Sequence, residues 1–247
     1  MRIWIQGESE MDQFLKKRCA ERGMILSSVS DCDLAVLRFP YSEISAEIKD
    51  ALPEGQKIVC GIMNEEVEQT AKEKNWMLYR PLQDEEYLLE NAKLTAEGAV
   101  YFAMNKLSIA IRDANCLVIG YGRIGKELTR ILRALGAEVT VAARRRESRE
   151  EAGENSIPIS GIRSVIHQAD LILNTVPQHV LSESGLLSIK STVFLLELAS
   201  KPYGFDMDAA RRLGVHAYLE SGIPGRYCPL SAASALLRYI ERSVRIE

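Results

Sequence analysis

The sequence is poor in the residues that mark several functional classes. Its three histidines lie far apart, and its five cysteines (Cys19, Cys32, Cys60, Cys116 and Cys228) lack metal-ligand spacing, so no metal centre is expected. Scattered thiols of this kind fit a reducing, cytoplasmic setting and a mostly structural role. The longest apolar runs are strand-sized, which leaves no expected membrane span. The opening residues, Met1-Arg2-Ile3-Trp4-Ile5-Gln6, enter a strand pattern directly and do not read as a signal peptide. A net charge of −3 gives no general reason to expect nucleic-acid binding. Low-complexity segments, Pro/Gly/Ser-rich linkers and internal repeats beyond the βα alternation are also missing. What remains is 247 residues with 47% hydrophobic and 26% charged side chains, enough for one large or two modest globular cores.

One stretch, residues 115–146, organises the rest. Cys116-Leu117-Val118-Ile119 reads as a buried parallel strand, and Gly120-Tyr121-Gly122-Arg123-Ile124-Gly125 follows at once. In this pattern Gly120 permits the strand-to-helix turn. Gly122 lets the backbone approach a pyrophosphate, and Gly125 lets the helix pack on the sheet. The N–H groups and dipole of the helix start would hold the phosphates. Leu128, Ile131, Leu132 and Leu135 then follow helical spacing to a glycine stop at Gly136, and Val139-Thr140-Val141 opens a second strand. Glycines alone are weak evidence; strand, glycines, helix, stop and strand in one unit predict a dinucleotide site.

The end of that second strand bears on the cofactor. An NAD site commonly places Asp or Glu there for the ribose 2′-hydroxyl, whereas this chain has Ala143 followed by Arg144, Arg145 and Arg146. Guanidinium forks suit a 2′-phosphate, so NADP is favoured over NAD. The competing reading is a solvated basic loop neutralised by Glu147, Glu150 and Glu151.

Alternating patterns predict an α/β fold: a Rossmann doubly wound parallel sheet with a second, smaller N-terminal α/β domain of flavodoxin-like type. Strands are expected at 2–6, 24–29, 34–39, 57–63 and 76–79, with helices at 11–22, 44–52 and 65–74. Residues 84–107 form a long helical pattern that Thr95-Ala96-Glu97-Gly98 interrupts, with Thr95 placed to cap a second segment. Beyond residue 146, strands are expected at 157–159, 170–176, 192–199 and 215–219. Ser221-Gly222-Ile223-Pro224-Gly225-Arg226 reads as a loop, in which Gly225 leaves room for a ligand beside Arg226. A helix over 230–244 closes the chain. The expected division is 1–92 and 93–247, joined by helices around a cleft, with the C-terminal helix able to pack back on the first domain.

Polar residues gather where open α/β sheets place ligands, at the carboxyl ends of strands: Asn174, Thr175, Ser200, Lys201 and Arg226. Thr175, Val176 and Pro177 are expected to line the dinucleotide with the glycine loop, and Thr95 and Glu97 to approach from the crossing helices. Basic and hydroxyl groups beside a nicotinamide suit a small carboxylated substrate. Taken singly, Asn174 and Ser200 read equally well as turn residues, Glu97 as an ordinary helix carboxylate and Arg226 as a solvated side chain.

The succession TAEGA, LVIGYGRIGKEL, GAEVTVAAR, NTVP, LELASKPYGFD and SGIPGRYCPLSAA resembles the family of dipicolinate synthase A subunits, from about residue 91 to the C-terminus. The last three motifs are the most specific. The N-terminal part is similar chiefly at Cys60-Gly61-Ile62-Met63-Asn64. The resemblance implies a Rossmann domain with a smaller α/β domain, as in formate and D-2-hydroxyacid dehydrogenases. It also implies a second, flavoprotein-like B subunit, action in the mother cell of spore-forming bacteria, and NADP-linked oxidation of dihydrodipicolinate to dipicolinate. A homo-oligomer is expected as well. Three departures fall on the substrate side. Cys228-Pro229-Leu230-Ser231-Ala232 replaces Ala-Pro-Lys-Thr-Ala, Lys201-Pro202-Tyr203-Gly204 replaces Arg-Pro-Gly-Gly, and Glu197 stands where the family has Asp.

For such a reaction the protein must hold a flat dicarboxylate and accept one proton. Glu97 is the candidate base, grouped with Lys201 as catalytic, and Thr95, Ser200 and Arg226 are the candidate substrate contacts. Two alternatives stay open: another NADP oxidoreductase of the hydroxyacid- or shikimate-dehydrogenase type, and a non-catalytic nucleotide-binding subunit. Against the first, His179 and His216 have no motif-level Asp or Glu partner.

Overall fold

The computed structural model describes residues 1–244, which form two compact units. The first comprises Met1–Asn91 together with the chain from Pro224 onward; the second is Ala92–Ile223.

The first unit contains strands β1 (Arg2–Ile5), β2 (Ile25–Leu26), β3 (Leu34–Val36), β4 (Tyr41–Ser42), β5 (Lys57–Val59), β6 (Ile62–Met63) and β7 (Met77–Tyr79). Its helices are α1 (Glu10–Glu21), α2 (Ala46–Ala51), α3 (Glu65–Glu73) and the start of α4 (Glu85–Met104). Five strands pair in parallel in the order β2-β1-β3-β5-β7, the flavodoxin-like arrangement. Local chemistry sets the helix starts. Ser9 and Asp12 cap α1 reciprocally, and the Asn64 side chain accepts from the Val67 N–H at 2.9 Å to start α3. A core of Leu37, Leu52, Ile58, Val67 and Trp76 lies against this sheet. The 57–63 stretch is two strands and not one. Gly61 donates its N–H to Ser42 Oγ at 2.8 Å, and its Cα lies so close to Pro40 that a Cβ would come within 2.1 Å of the Pro40 carbonyl oxygen. The chain bends there, and β6 pairs with β4 in a separate ribbon.

The second unit carries β8 (Asn115–Ile119), β9 (Glu138–Ala142), β10 (Ser156–Ile157), β11 (Leu171–Asn174), β12 (Phe194–Glu197) and β13 (His216–Leu219). They form one parallel sheet in the order β10-β9-β8-β11-β12-β13, the Rossmann arrangement. Its helices are α5 (Arg123–Ala134), α6 (Arg146–Ala152), α7 (Glu183–Leu186) and α8 (Met207–Arg212). Leu117, Ile119, Ile166, Ile172, Leu195 and Phe205 belong to one continuous core cluster. Ile159–Ser164 and Ile166–Gln168 form two 3-10 turns.

Two further expectations are corrected. No break occurs at Thr95-Gly98: α4 runs uninterrupted for 20 residues. A single mid-helix glycine costs about 1 kcal/mol relative to alanine, and burial of Ala92, Ala96, Ala99 and Ala103 along the helix offsets that cost. The expected loop before the C-terminal helix is also partly helical. It contains α9 (Ile223–Tyr227), followed by α10 (Pro229–Ser243). A Cβ on Gly225 would meet the Met11 sulfur at 3.4 Å, which is ordinary van der Waals contact. Within the first unit α10 packs on α1, and Tyr239 meets Tyr87 edge-on with ring centroids 6.1 Å apart.

Burial pushes the thiols of Cys19 and Cys116 up to about 12 and that of Cys60 up to about 11, so these cysteines are packing groups. Among the described residues no helix is long and apolar enough to cross a membrane.

Candidate dinucleotide site

The site grows out of the carboxyl end of β8. Ile119 is the last strand residue, and its carbonyl accepts both the N–H of Thr175 at 2.8 Å and its hydroxyl at 2.9 Å. Thr175 and Val176 are thereby pressed onto the glycine loop. Gly120 has φ +98°, and a Cβ there would meet Thr175 Oγ1 at 2.3 Å. A Cβ on Gly125 would lie 2.1 Å from the backbone oxygen of Gly120, so α5 can start this close to the strand only with glycine at that position. The structure therefore brings Gly120, Gly125, Thr175 and Val176 together. Tyr121 is half-buried under Lys126, whose Nζ lies 5.6 Å from the ring centroid and also pairs with Glu151 at 2.6 Å. Arg123 and Pro177 are exposed, and Ile124 is half-buried.

These residues fit a dinucleotide. Where α1 and α3 carry side-chain caps and first-turn acids, α5 has neither. Its N-cap is Gly122, and the space a Cβ of Gly122 would occupy is open to beyond 4 Å. A bare helix start with room at its N-cap suits a pyrophosphate.

At the end of β9, Ala143 is buried and Arg144, Arg145 and Arg146 are exposed. Of the three acids that could neutralise this loop, Glu147 is exposed and without a basic partner among the described residues. Glu150 pairs with Arg146 at 2.7 Å and Glu151 with Lys126, while Arg149 turns back onto the carbonyls of Ala143 and Arg144. Among the described residues the side chains of Arg144 and Arg145 have no acidic partner.

The carboxyl ends of β11 and β12 are joined by a buried pair that sequence pattern presents as two separate residues. Asn174 and Glu197 are neighbours in register and both fully buried. Asn174 Nδ2 donates to Glu197 Oε1 at 2.7 Å and to the Val176 carbonyl at 3.0 Å, and its Oδ1 accepts from the Val176 N–H at 3.1 Å. Burial raises the pKa of Glu197, and the N–H groups bonded to it offset that only in part. The signals available in sequence were that Asn174 closes the apolar run 171–173 and that Glu197 interrupts the apolar run 193–199.

The remaining candidates are more scattered. Ser200 and Lys201 lie exposed on the loop after β12. Thr95 is buried on α4 and Glu97 exposed; two residues apart, they point about 200° from one another around the helix, so they do not share a face. Arg226 is in the first unit, on α9, with its guanidinium carbon 5.4 Å from the Tyr227 ring centroid.

A parallel 3-2-1-4-5-6 sheet, a glycine loop at its first strand and a bare helix start define a nicotinamide-dinucleotide-binding dehydrogenase domain. The chain belongs to the D-isomer specific 2-hydroxyacid dehydrogenase family, whose NAD-binding-domain model matches residues 77–200.

Within that class it is similar to the A subunit of dipicolinate synthase from Bacillus subtilis (strain 168), at 28% identity over 196 residues. That match takes in 78% of this chain and spans 66% of the length of the Bacillus subtilis protein. Among solved structures, the dipicolinate synthase A subunit from Bacillus halodurans superposes with a TM-score of 0.88 at 24% identity, covering 100% of this chain and 98% of that one. The corresponding dipicolinate synthase structure from Bacillus subtilis gives 0.85 at 22% identity, covering 98% and 95%. At these identities the structural likeness establishes the fold.

Proposed function

We propose that the chain is the nucleotide-binding oxidoreductase subunit of a dipicolinate synthase, catalysing NADP-linked oxidation of dihydrodipicolinate to dipicolinate during sporulation. The observation that carries this reading is the similarity to the dipicolinate synthase A subunit over 78% of the chain. The reading extends to a flavoprotein-like B subunit as partner, to the cytoplasm of the mother cell, and to a homo-oligomeric assembly. Oxidation removes a hydride and a proton from the dihydropyridine ring, and forming the aromatic ring supplies much of the driving force. With its pyrophosphate held at the glycine loop, the dinucleotide would supply the hydride acceptor. The chain's own tasks are to hold two carboxylates and take up the proton. Glu97, the exposed one of the two α4 candidates, is assigned the proton; Ser200 and Lys201 are assigned the carboxylates.

NADP is assigned because Arg144 and Arg145 are exposed and free of acidic partners beside the buried Ala143. NADP is expected to bind at least ~10-fold more tightly than NAD, the worth of one or two charge-assisted hydrogen bonds at an exposed phosphate. Arg144→Ala with Arg145→Ala should erase most of that difference in titration calorimetry. Equal affinities in the unmutated chain would remove the NADP assignment. On the substrate side, Lys201→Ala should raise KM by roughly 10-fold with NADP affinity nearly unchanged, since it removes a charged contact outside the phosphate loop. Unchanged kinetics would make Lys201 a solvated side chain.

The partner dependence is tested by assaying the chain alone and with the B subunit. Alone it should bind NADP but form little dipicolinate. Full turnover without the partner would contradict the two-subunit reading, and no turnover by either arrangement would favour a purely nucleotide-binding role.

A further inference from the structure

We infer that Glu197 is a positioning residue, a buried carboxylate that fixes both ends of the loop carrying Ser200 and Lys201 and ties it to the segment lying on the glycine loop. The inference rests on the reading above, in which Ser200 and Lys201 face the substrate, and it assigns Glu197 a task that reading leaves open.

The geometry is that of an anion held by N–H donors alone. Glu197 Oε1 accepts from Asn174 Nδ2 at 2.7 Å and from the Ala199 N–H at 2.9 Å. Oε2 accepts from the Gly204 N–H at 2.9 Å. Among the described residues no Lys, Arg or His side chain pairs with it. Every partner is a donor, which matches the ionised form and gives a carboxyl proton no acceptor to meet. A buried charge without a cation contributes little to stability, and an apolar side chain would fill the space at lower desolvation cost. Its distinctive property is geometric. Donors at 199 and 204 bracket the loop 200–203, and the Asn174 donor belongs to the adjacent strand.

The other side of the lock is equally close. A Cβ on Gly204 would come within 2.3 Å of Asn174 Nδ2, so the returning end of the loop lies directly on Asn174. Asn174 in turn binds both backbone groups of Val176, and Val176 and Thr175 rest on Gly120. The path from phosphate loop to substrate loop thus runs through Thr175, Val176, Asn174 and Glu197 by direct contact at each step. Lys201 extends into solvent from a loop whose base is fixed at both ends.

Glu197→Gln tests the assignment. Whichever way the amide is turned, its NH2 faces an N–H donor, either those of Ala199 and Asn174 or that of Gly204. In the purified full-length chain, amide hydrogen exchange across 198–205 should rise ~10-fold or more while 119–125 stays at its unmutated rate. With the B subunit present, the dicarboxylate KM should rise roughly 10-fold and the NADP Kd should change less than ~3-fold. Glu197→Asp keeps the charge and should restore part of both. A merely structural Glu197 would instead lower Tm and raise exchange throughout the second unit without a KM-selective effect, and that result overturns the inference. So does an unchanged exchange rate at 198–205. If Glu197→Gln fails to fold, Glu197→Asp is read by the same two measurements, with exchange confined to 198–205 in favour and uniform or unchanged exchange against. The exchange measurement needs neither substrate nor partner, so it stands even if the unmutated pair oxidises no dihydropyridine dicarboxylate.

Discussion

Gly122→Ala should lower NADP affinity by roughly 30-fold or more without changing the stability of the free protein, the equivalent of one or two charge-assisted phosphate hydrogen bonds. The two effects separate because of where the added methyl goes. Among the described residues, chain neighbours aside, nothing lies within 4 Å of a Cβ at 122, so the free protein accommodates it. A pyrophosphate seated on the start of α5 would not, since that space is its approach to the backbone. Gly125→Ala makes the instructive contrast. Its Cβ would lie 2.1 Å from the Gly120 carbonyl oxygen, a backbone atom that no rotamer change can move. The helix start must shift, so both stability and affinity should fall, stability by about 1–3 kcal/mol as for other overpacked sites. Calorimetric titration and thermal unfolding of both variants check the pair. Gly122→Ala binding NADP like the unmutated chain would mean that α5 does not hold the phosphates.

Asn174→Asp is expected to have the largest effect on stability, about 3–5 kcal/mol at neutral pH, as when a buried charge loses its partner. The replacement is isosteric but turns a donor into an acceptor 2.7 Å from Glu197 Oε1, with both residues fully buried. Two carboxylates so placed cannot both ionise in the folded chain, so one folded-state pKa rises above its unfolded value near 4. A raised folded pKa means that the associated stability is complete below the unfolded pKa and is lost as pH rises through the folded one. The deficit should therefore be small near pH 4 and grow toward neutrality. Unmutated Glu197, itself raised by burial, contributes a weaker slope of the same sign. Denaturant unfolding at several pH values measures this, and a deficit independent of pH would show that the two side chains do not share a buried site.

What was legible in the sequence is what local pattern dictates. Cys116 to Ile119, the three glycines and the helical spacing of Leu128 and Leu132 specify a βαβ unit within one short stretch, and that unit is present as expected. The alternation of strands and helices likewise foretold two parallel sheets. The misreadings lie where distant residues decide. Ser42 and Pro40 bend the chain at Gly61, and no periodicity within 57–63 reports that. Four buried alanines keep α4 continuous through Gly98, where local propensity favours a break. Asn174 and Glu197 were visible only as polar residues at the end of one apolar run and inside another. Their pairing follows from the register of β11 on β12, which is a property of the sheet and not of either segment.

The most direct test of the account is a stoichiometric one, with dihydrodipicolinate mixed with this chain, the B subunit and NADP. The account predicts one reduced nicotinamide formed for each pyridine dicarboxylate produced, with both signals lost together when Gly122→Ala replaces the unmutated chain. Dipicolinate appearing without reduced nicotinamide, or at an undiminished rate with Gly122→Ala, would contradict it.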